Sequence, residues 1–126
     1  MQIESILRAV LKADPAVSAL AGTRIYQTVL PREPVFPAVA YQMVSRVQDN
    51  LTGIVQARIQ YTCMDAAWVR AADLADAVRC ALHGYRVTRD GARIENIQYA
   101  GQTSGHDPDT GSFWIPVDVI VTYFEV

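Results

Sequence analysis

Apolar residues recur every three or four positions at the start of the chain. Ile3, Ile6, Leu7, Val10 and Leu11 share one side of a helix, with Glu4, Arg8 and Lys12 on the other. Asp14-Pro15 halts it, and Asp14 is placed to cap a second short turn, from Pro15 to Leu20, that Gly22 ends. Periodicity then lapses. From Arg24 to Val35 only Ile25, Tyr26 and Val29 suggest a short extended piece, while Pro31, Pro34 and Pro37 block helix and limit central-strand pairing. A spacing of two takes over at Ala38. Val39, Tyr41, Met43 and Val47 fall on one face of a strand over residues 38–47. Val55, Ala57, Ile59, Tyr61 and Cys63 line one face of the next strand, with Gln56, Arg58, Gln60 and Thr62 on the other. The Asp49-Asn50-Leu51-Thr52-Gly53 turn makes the pair an antiparallel hairpin, and the polar face of its second strand meets water or a surface built from several copies.

Helical spacing returns over residues 66–83, capped by Asp65 and ended by Gly84. Ala67, Ala71, Leu74, Val78, Ala81 and Leu82 form its apolar face, whose small residues permit close approach to a sheet; Asp73, Asp76 and Arg79 face away. Two further strands, 85–88 and 94–102, flank an Arg89-Asp90-Gly91 turn. Residues 101–111 are polar and turn-rich. The closing strand, 112–124, carries Val117, Val119, Val121 and Tyr123 on one face and Trp114, Ile120 and Phe124 on the other. A strand apolar on both sides is central or covered by another chain. Pro116 points instead to an edge or a bulge. The element order predicts one α+β domain over residues 1–126, a mainly antiparallel sheet packed against helices on one side.

Composition sharpens this picture. A chain of 126 residues buries roughly two thirds of the surface its unfolded form exposes, enough to fold without staples. Charged residues make up 19% of it, against about 25% in typical domains, so apolar surface is available for a partner. The net charge of -2 lacks the positive balance of duplex-binding proteins. Arginine supplies nearly all the basic residues, a bias that suits planar paired contacts at interfaces. Cys63 and Cys80 lack metal-ligand spacing and are expected to be buried free thiols. No basic leader with an apolar core and no membrane-length apolar stretch is visible, so a cytoplasmic origin without membrane contact is expected.

The residues that most invite a catalytic reading lie in the Gly105-to-Gly111 loop. His106, Asp107 and Asp109 place an imidazole beside two carboxylates, but without the alternating ligands and terminal glutamate of a calcium loop. Asp-Pro and Asp-Thr-Gly also form turns through side-chain hydrogen bonds. Asp109-Thr110-Gly111 resembles the triplet of aspartic proteases, which require two such aspartates across a cleft, and only one copy is present. His83 sits where a helix C-terminus favours a cation. The expectation is therefore no catalytic residue, no metal and no cofactor. A nucleic-acid reading rests on Arg86, Arg89 and Arg93 near Tyr85 and Tyr99, opposed by Asp90 and Glu95.

Four segments together resemble a known family. The first helix leads through Asp14-Pro15 and Leu20-Ala21-Gly22 to Arg24-Ile25-Tyr26; Phe36-Pro37-Ala38-Val39-Ala40-Tyr41-Gln42 opens the first long strand. The run from Ala57 and Gln60 through Cys63 precedes an alanine-rich helix ending Ala81-Leu82-His83-Gly84-Tyr85, and Asp107-Pro108-Asp109-Thr110-Gly111 precedes the closing strand. In this order they are similar to the tail completion, terminator-like proteins of long-tailed bacteriophages and prophages. The resemblance implies a tail-terminator-like fold and a virion protein assembled in the host bacterial cytoplasm. It implies a ring, commonly a hexamer, at the head-proximal end of the tail tube. Its partners would be further copies of itself, the tail tube protein and head connector or adaptor proteins, with DNA only as passing nonspecific cargo. A head-tail adaptor, another minor tail protein or a small nucleic-acid-binding domain are the alternatives. Physical candidates for assembly contacts are Thr28, Leu30, Arg32 and Phe36 in the irregular arm, Asn50, Leu51 and Thr52 in the hairpin turn, and Gln102, His106, Asp107 and Asp109 in the polar loop.

Overall fold

A computed structural model describes residues 2–125. The amphipathic start forms α1 (Ile3–Ala13), which buries Ile3, Ile6, Leu7 and Leu11. Asp14 ends it and caps α2 (Pro15–Ala21): its carboxylate accepts the N–H groups of Ala16 and Val17 at 3.0 and 3.1 Å. Then come β1 (Ile25–Gln27), β2 (Ala38–Gln48), β3 (Val55–Asp65) and α3 (Trp68–Leu82), followed by β4 (Val87–Arg89), β5 (Ala92–Gln102), β6 (Gly105–Asp107) and β7 (Ser112–Glu125). One sheet orders them β1-β2-β3-β7-β5-β4, with β6 also paired to β7. Every pairing is antiparallel except β1 with β2, which is parallel. The fold is the expected α+β arrangement.

α3 lies across β3 and β7, and α1 and α2 pack against it. The core follows cross-strand rows. Ile25, Val39, Cys63 and Ile115 form one row, and Tyr41, Tyr61 and Val117 the next; all are buried. Fully burying a side chain such as Leu7, Leu11, Leu74 or Leu82 contributes roughly 1.5–3 kcal/mol each.

β7 is central, held by β3 on one side and by β5 and then β6 on the other, but only its Val117, Val119, Val121 and Tyr123 face is buried; Asp118, Ile120, Thr122 and Phe124 on the second face are half-buried. Pro116 fits there for a local reason. Its carbonyl accepts the Thr103 N–H at 3.3 Å, and a strand residue's nitrogen and carbonyl point the same way. The missing proline donor therefore faces the break between β5, whose last partner is Val117, and β6, whose first is Trp114.

Several expectations need correction. Val47 does not share a face with Val39 and Tyr41. A bulge between Met43 and Ser45 inserts an extra residue, which flips the remainder of β2, so Val47 pairs with Gln56 and is 67% exposed. Cys80 is exposed, whereas Cys63 is buried and burial pushes its thiol pKa upward. α3 begins at Trp68 rather than 66. The buried Asp65 accepts the Ala67 N–H at 2.8 Å, ordering the chain one step before the helix. The polar 101–111 segment contains a strand, β6. The 85–88 strand is shifted to Val87–Arg89, joined to β5 by Asp90 and Gly91, both at positive φ as a two-residue hairpin turn requires.

Candidate functional site

The sheet has a face that no helix covers. Gln42, Gln60 and Asp118 form one of its cross-strand rows, Ser45, Arg58, Ile120 and Gln98 a second, and Val47, Gln56, Thr122 and Asn96 a third. These side chains alternate with the buried rows, so each β3 residue from Gln56 to Thr62 on this side is exposed or half-buried. Arg58 donates to one Asp118 oxygen at 3.0 Å, and the Gln60 amide donates to the other at 3.1 Å. Arg93, on the same side, pairs with Glu95 at 2.7 Å and lies over the Phe124 ring at 4.5 Å. The face is thus mainly polar, with Val47, Ile120 and Phe124 set among its amides and hydroxyls, and these two cations are each matched by a carboxylate.

The irregular arm between β1 and β2 runs along one edge of the sheet. Thr28 has φ 65 and is exposed, and its N–H donates to the Tyr41 carbonyl at 2.7 Å. Arg24 braces the arm's base, donating to the carbonyls of Pro37 at 2.8 Å and Leu20 at 3.1 Å. Arg32 is exposed; Leu30 and Phe36 are half-buried. Among the described residues, no backbone group from Leu30 to Phe36 is hydrogen-bonded within the chain.

The β2–β3 turn projects from one end of the sheet. The Asp49 carboxylate accepts the N–H groups of Leu51 at 2.8 Å and Thr52 at 3.3 Å, and these bonds hold its pKa below the usual carboxylate range. Asn50, Leu51 and Thr52 are exposed, and Leu51 reaches 96%. Gln102, His106 and Asp109 are exposed and Asp107 is half-buried, at the opposite end. The structure does not gather the eleven candidate contact residues into one patch. It distributes them over a lateral edge and the two ends of the strands.

The catalytic prospects resolve into turn chemistry. The His106 ring sits 4.6 Å from that of Phe113, the Asp107 carboxylate accepts the Asp109 N–H at 3.0 Å, and the Asp107 carbonyl accepts that of Gly111 at 2.8 Å. Thr110 and Ser112 share a hydroxyl hydrogen bond of 2.7 Å. His83 Nδ1 accepts the Tyr99 N–H at 3.3 Å. Among the described residues no group of three or more His, Cys, Asp or Glu side chains is placed to hold a metal ion, and no helix is long and apolar enough to cross a membrane. The arginine cluster carries its own counter-charges: Arg86 lies 3.8 Å from Glu95 and Arg89 lies 3.5 Å from Asp90.

One feature escaped the sequence reading. Trp68, 51% exposed at the start of α3, forms a groove of about 320 Å³ with Ala72, Asp76, Ile115 and the Gln102-to-Ser104 segment. The signal available was an exposed tryptophan at a helix start, where a solvated helix would place a polar residue.

Comparisons with known proteins bear on these surfaces. No curated protein matches the chain significantly. Among solved structures, a chain of "Virion of native gene transfer agent (GTA) particle" superposes with a TM-score of 0.78 at 19% identity, covering 96% of this chain and 93% of that one. At that identity the likeness shows a shared fold. The model of the family "Tail completion protein gp17" matches residues 5–123, from within α1 to near the end of β7. With the sheet, its helices and its surfaces accounted for over that whole span, the chain belongs to the tail completion protein gp17 family and is a structural tail protein.

Proposed function

We propose that this protein caps the head-proximal end of the tail tube as a ring and forms part of the interface that joins tail to head.

 The ring is read as a hexamer, built from copies of this chain, and its neighbours are the tail tube protein on one side and a head connector or adaptor protein on the other. The observation that carries this reading is the uncovered polar sheet face. In a closed ring each copy uses two different surface patches against its neighbours, which leaves a third surface for the lumen. A face of amides and hydroxyls interspersed with Val47, Ile120 and Phe124, whose cations Arg58 and Arg93 are already paired, presents little free positive charge. DNA passing such a face releases few counterions and is not held, so it slides as nonspecific cargo. The Asn50-to-Thr52 turn and the His106-to-Asp109 turn lie at opposite ends of the strands, where contacts to the tube and to the connector would fall. Assembly in the bacterial cytoplasm and residence in the virion tail follow from the same reading.

Deleting the gene tests it. A terminator's loss yields tubes of uncontrolled length and no head-joined particles, and supplying the protein restores both length and joining. Tails of normal length that still lack heads, with the protein co-purifying with portal-side components, would favour a head-tail adaptor instead.

A further inference from the structure

We propose that the proline-bearing arm of one copy docks into the Trp68 groove of the next copy, and that this contact closes the ring. The inference rests on the ring reading and assigns its subunit contact.

The first support is placement. Ile25 at the base of the arm, Val39, Cys63 and Ile115 in the groove share a single cross-strand row. Arm and groove therefore lie at the same level along the strands, the arm at the β1 edge and the groove three strand steps in, beside the break between β5 and β6, about 15 Å apart at roughly 4.8 Å per strand step. Two unlike patches at one level that do not overlap are what a heterologous, ring-closing contact needs.

The second support is chemistry. The arm offers Pro31 and Pro34 flanked by the exposed Val29 and Val35, and its backbone from Leu30 to Phe36 is unbonded within the chain. Proline rings are stiff and apolar, so ordering them on a partner costs little entropy, and exposed tryptophan faces are a common seat for them. The groove supplies Trp68 and Ile115 as apolar walls, with Thr103 and Ser104 as hydrogen-bonding groups for the unbonded arm backbone. A charge pair is available as well. Asp76 is the one charged side chain lining the groove, and the arm's one cation is Arg32, beside Glu33; all three are exposed, and the docking sets Arg32 toward Asp76 with Glu33 left to solvent. Asp76 is only loosely engaged by Arg79, at 3.7 Å, which leaves it available to a neighbour.

Charge reversal in trans tests the contact. Arg32→Asp and Asp76→Arg are each made in the full chain, their folding is checked by circular dichroism, and assembly is followed by analytical ultracentrifugation alone and with isolated tail tubes. Each variant by itself should need at least about tenfold more protein to assemble than the parent. An equimolar mixture of the two should recover assembly, because every arm then meets a groove of opposite charge in an alternating ring. Trp68→Ala should weaken assembly by a similar factor without rescue by either partner. If the parent forms rings and the single reversals assemble equally well, the docking is overturned while the ring stands. If the parent stays a single copy even on tail tubes, the ring reading fails and the docking falls with it.

Discussion

Tyr61→Phe probes the core more sharply than any other single substitution. Tyr61 lies in the middle of β3, fully buried, with its ring 6.0 Å from that of Tyr41. Among the described residues its hydroxyl is the one buried side-chain polar atom without a hydrogen-bond partner. Leaving such a group unpaired costs about 1–3 kcal/mol, and the gap left by one oxygen returns only a fraction of that, so the phenylalanine variant should gain about 1 kcal/mol at neutral pH. Burial adds a pH dependence. Desolvation, followed by the nearby Tyr41 and Glu4, pushes the Tyr61 phenol well above its ordinary 10.0. The folded-state value thus exceeds the unfolded one, so the group's contribution is intact below pH 10 and is lost as pH rises beyond it. The loss approaches about 1.4 kcal/mol per pH unit. Between about pH 9 and about pH 11 the parent should lose about 1.4 kcal/mol more than the variant, with the contribution of Cys63 common to both. Urea unfolding followed by circular dichroism at each pH measures the difference from the midpoints. A variant less stable than the parent at neutral pH, or a difference that stays flat above pH 10, would refute the reasoning.

Other expectations are simpler to state. A Cβ at Gly105 would overlap the Trp114 indole, so Gly105→Ala should cost about 1–3 kcal/mol in urea unfolding and red-shift tryptophan fluorescence as the β6–β7 hairpin opens. Asp14→Ala removes the acceptor for two α2 N–H groups and should cost about 1 kcal/mol by the same assay. Val47→Thr should change stability by less than about 0.5 kcal/mol, since the bulge turns that side chain outward; a loss several times larger would return Val47 to the core.

Most of the fold was legible because its signals are local. Asp14-Pro15 stops one helix and starts another through its own side chain, and the alternation from Val55 to Cys63 runs unbroken through β3. What escaped the sequence depends on a partner strand. A bulge leaves no residue-type signature, so continuing a spacing of two past Met43 placed Val47 on the wrong face. β6 is polar and only three residues long; it is held by pairing to β7, with Gly105 admitting Trp114, which local propensity does not reveal. Pro116 signalled an irregularity correctly, but whether that meant an edge or a break in one neighbour depended on strand order. The candidate surfaces divided the same way. The arm and turns stand out in sequence as breaks in periodicity, whereas the Trp68 groove draws on α3, β7 and the Gln102-to-Ser104 segment and exists only once they meet.

The central claim, a ring at the end of a tail tube, is tested most directly by electron cryomicroscopy of the purified protein mixed with isolated tail tubes. A closed ring of this chain is expected at one end of each tube, with the Gln56-to-Thr62 side of β3 facing the lumen. Tubes with bare ends, or a bound monomer or dimer that buries that face, would contradict it.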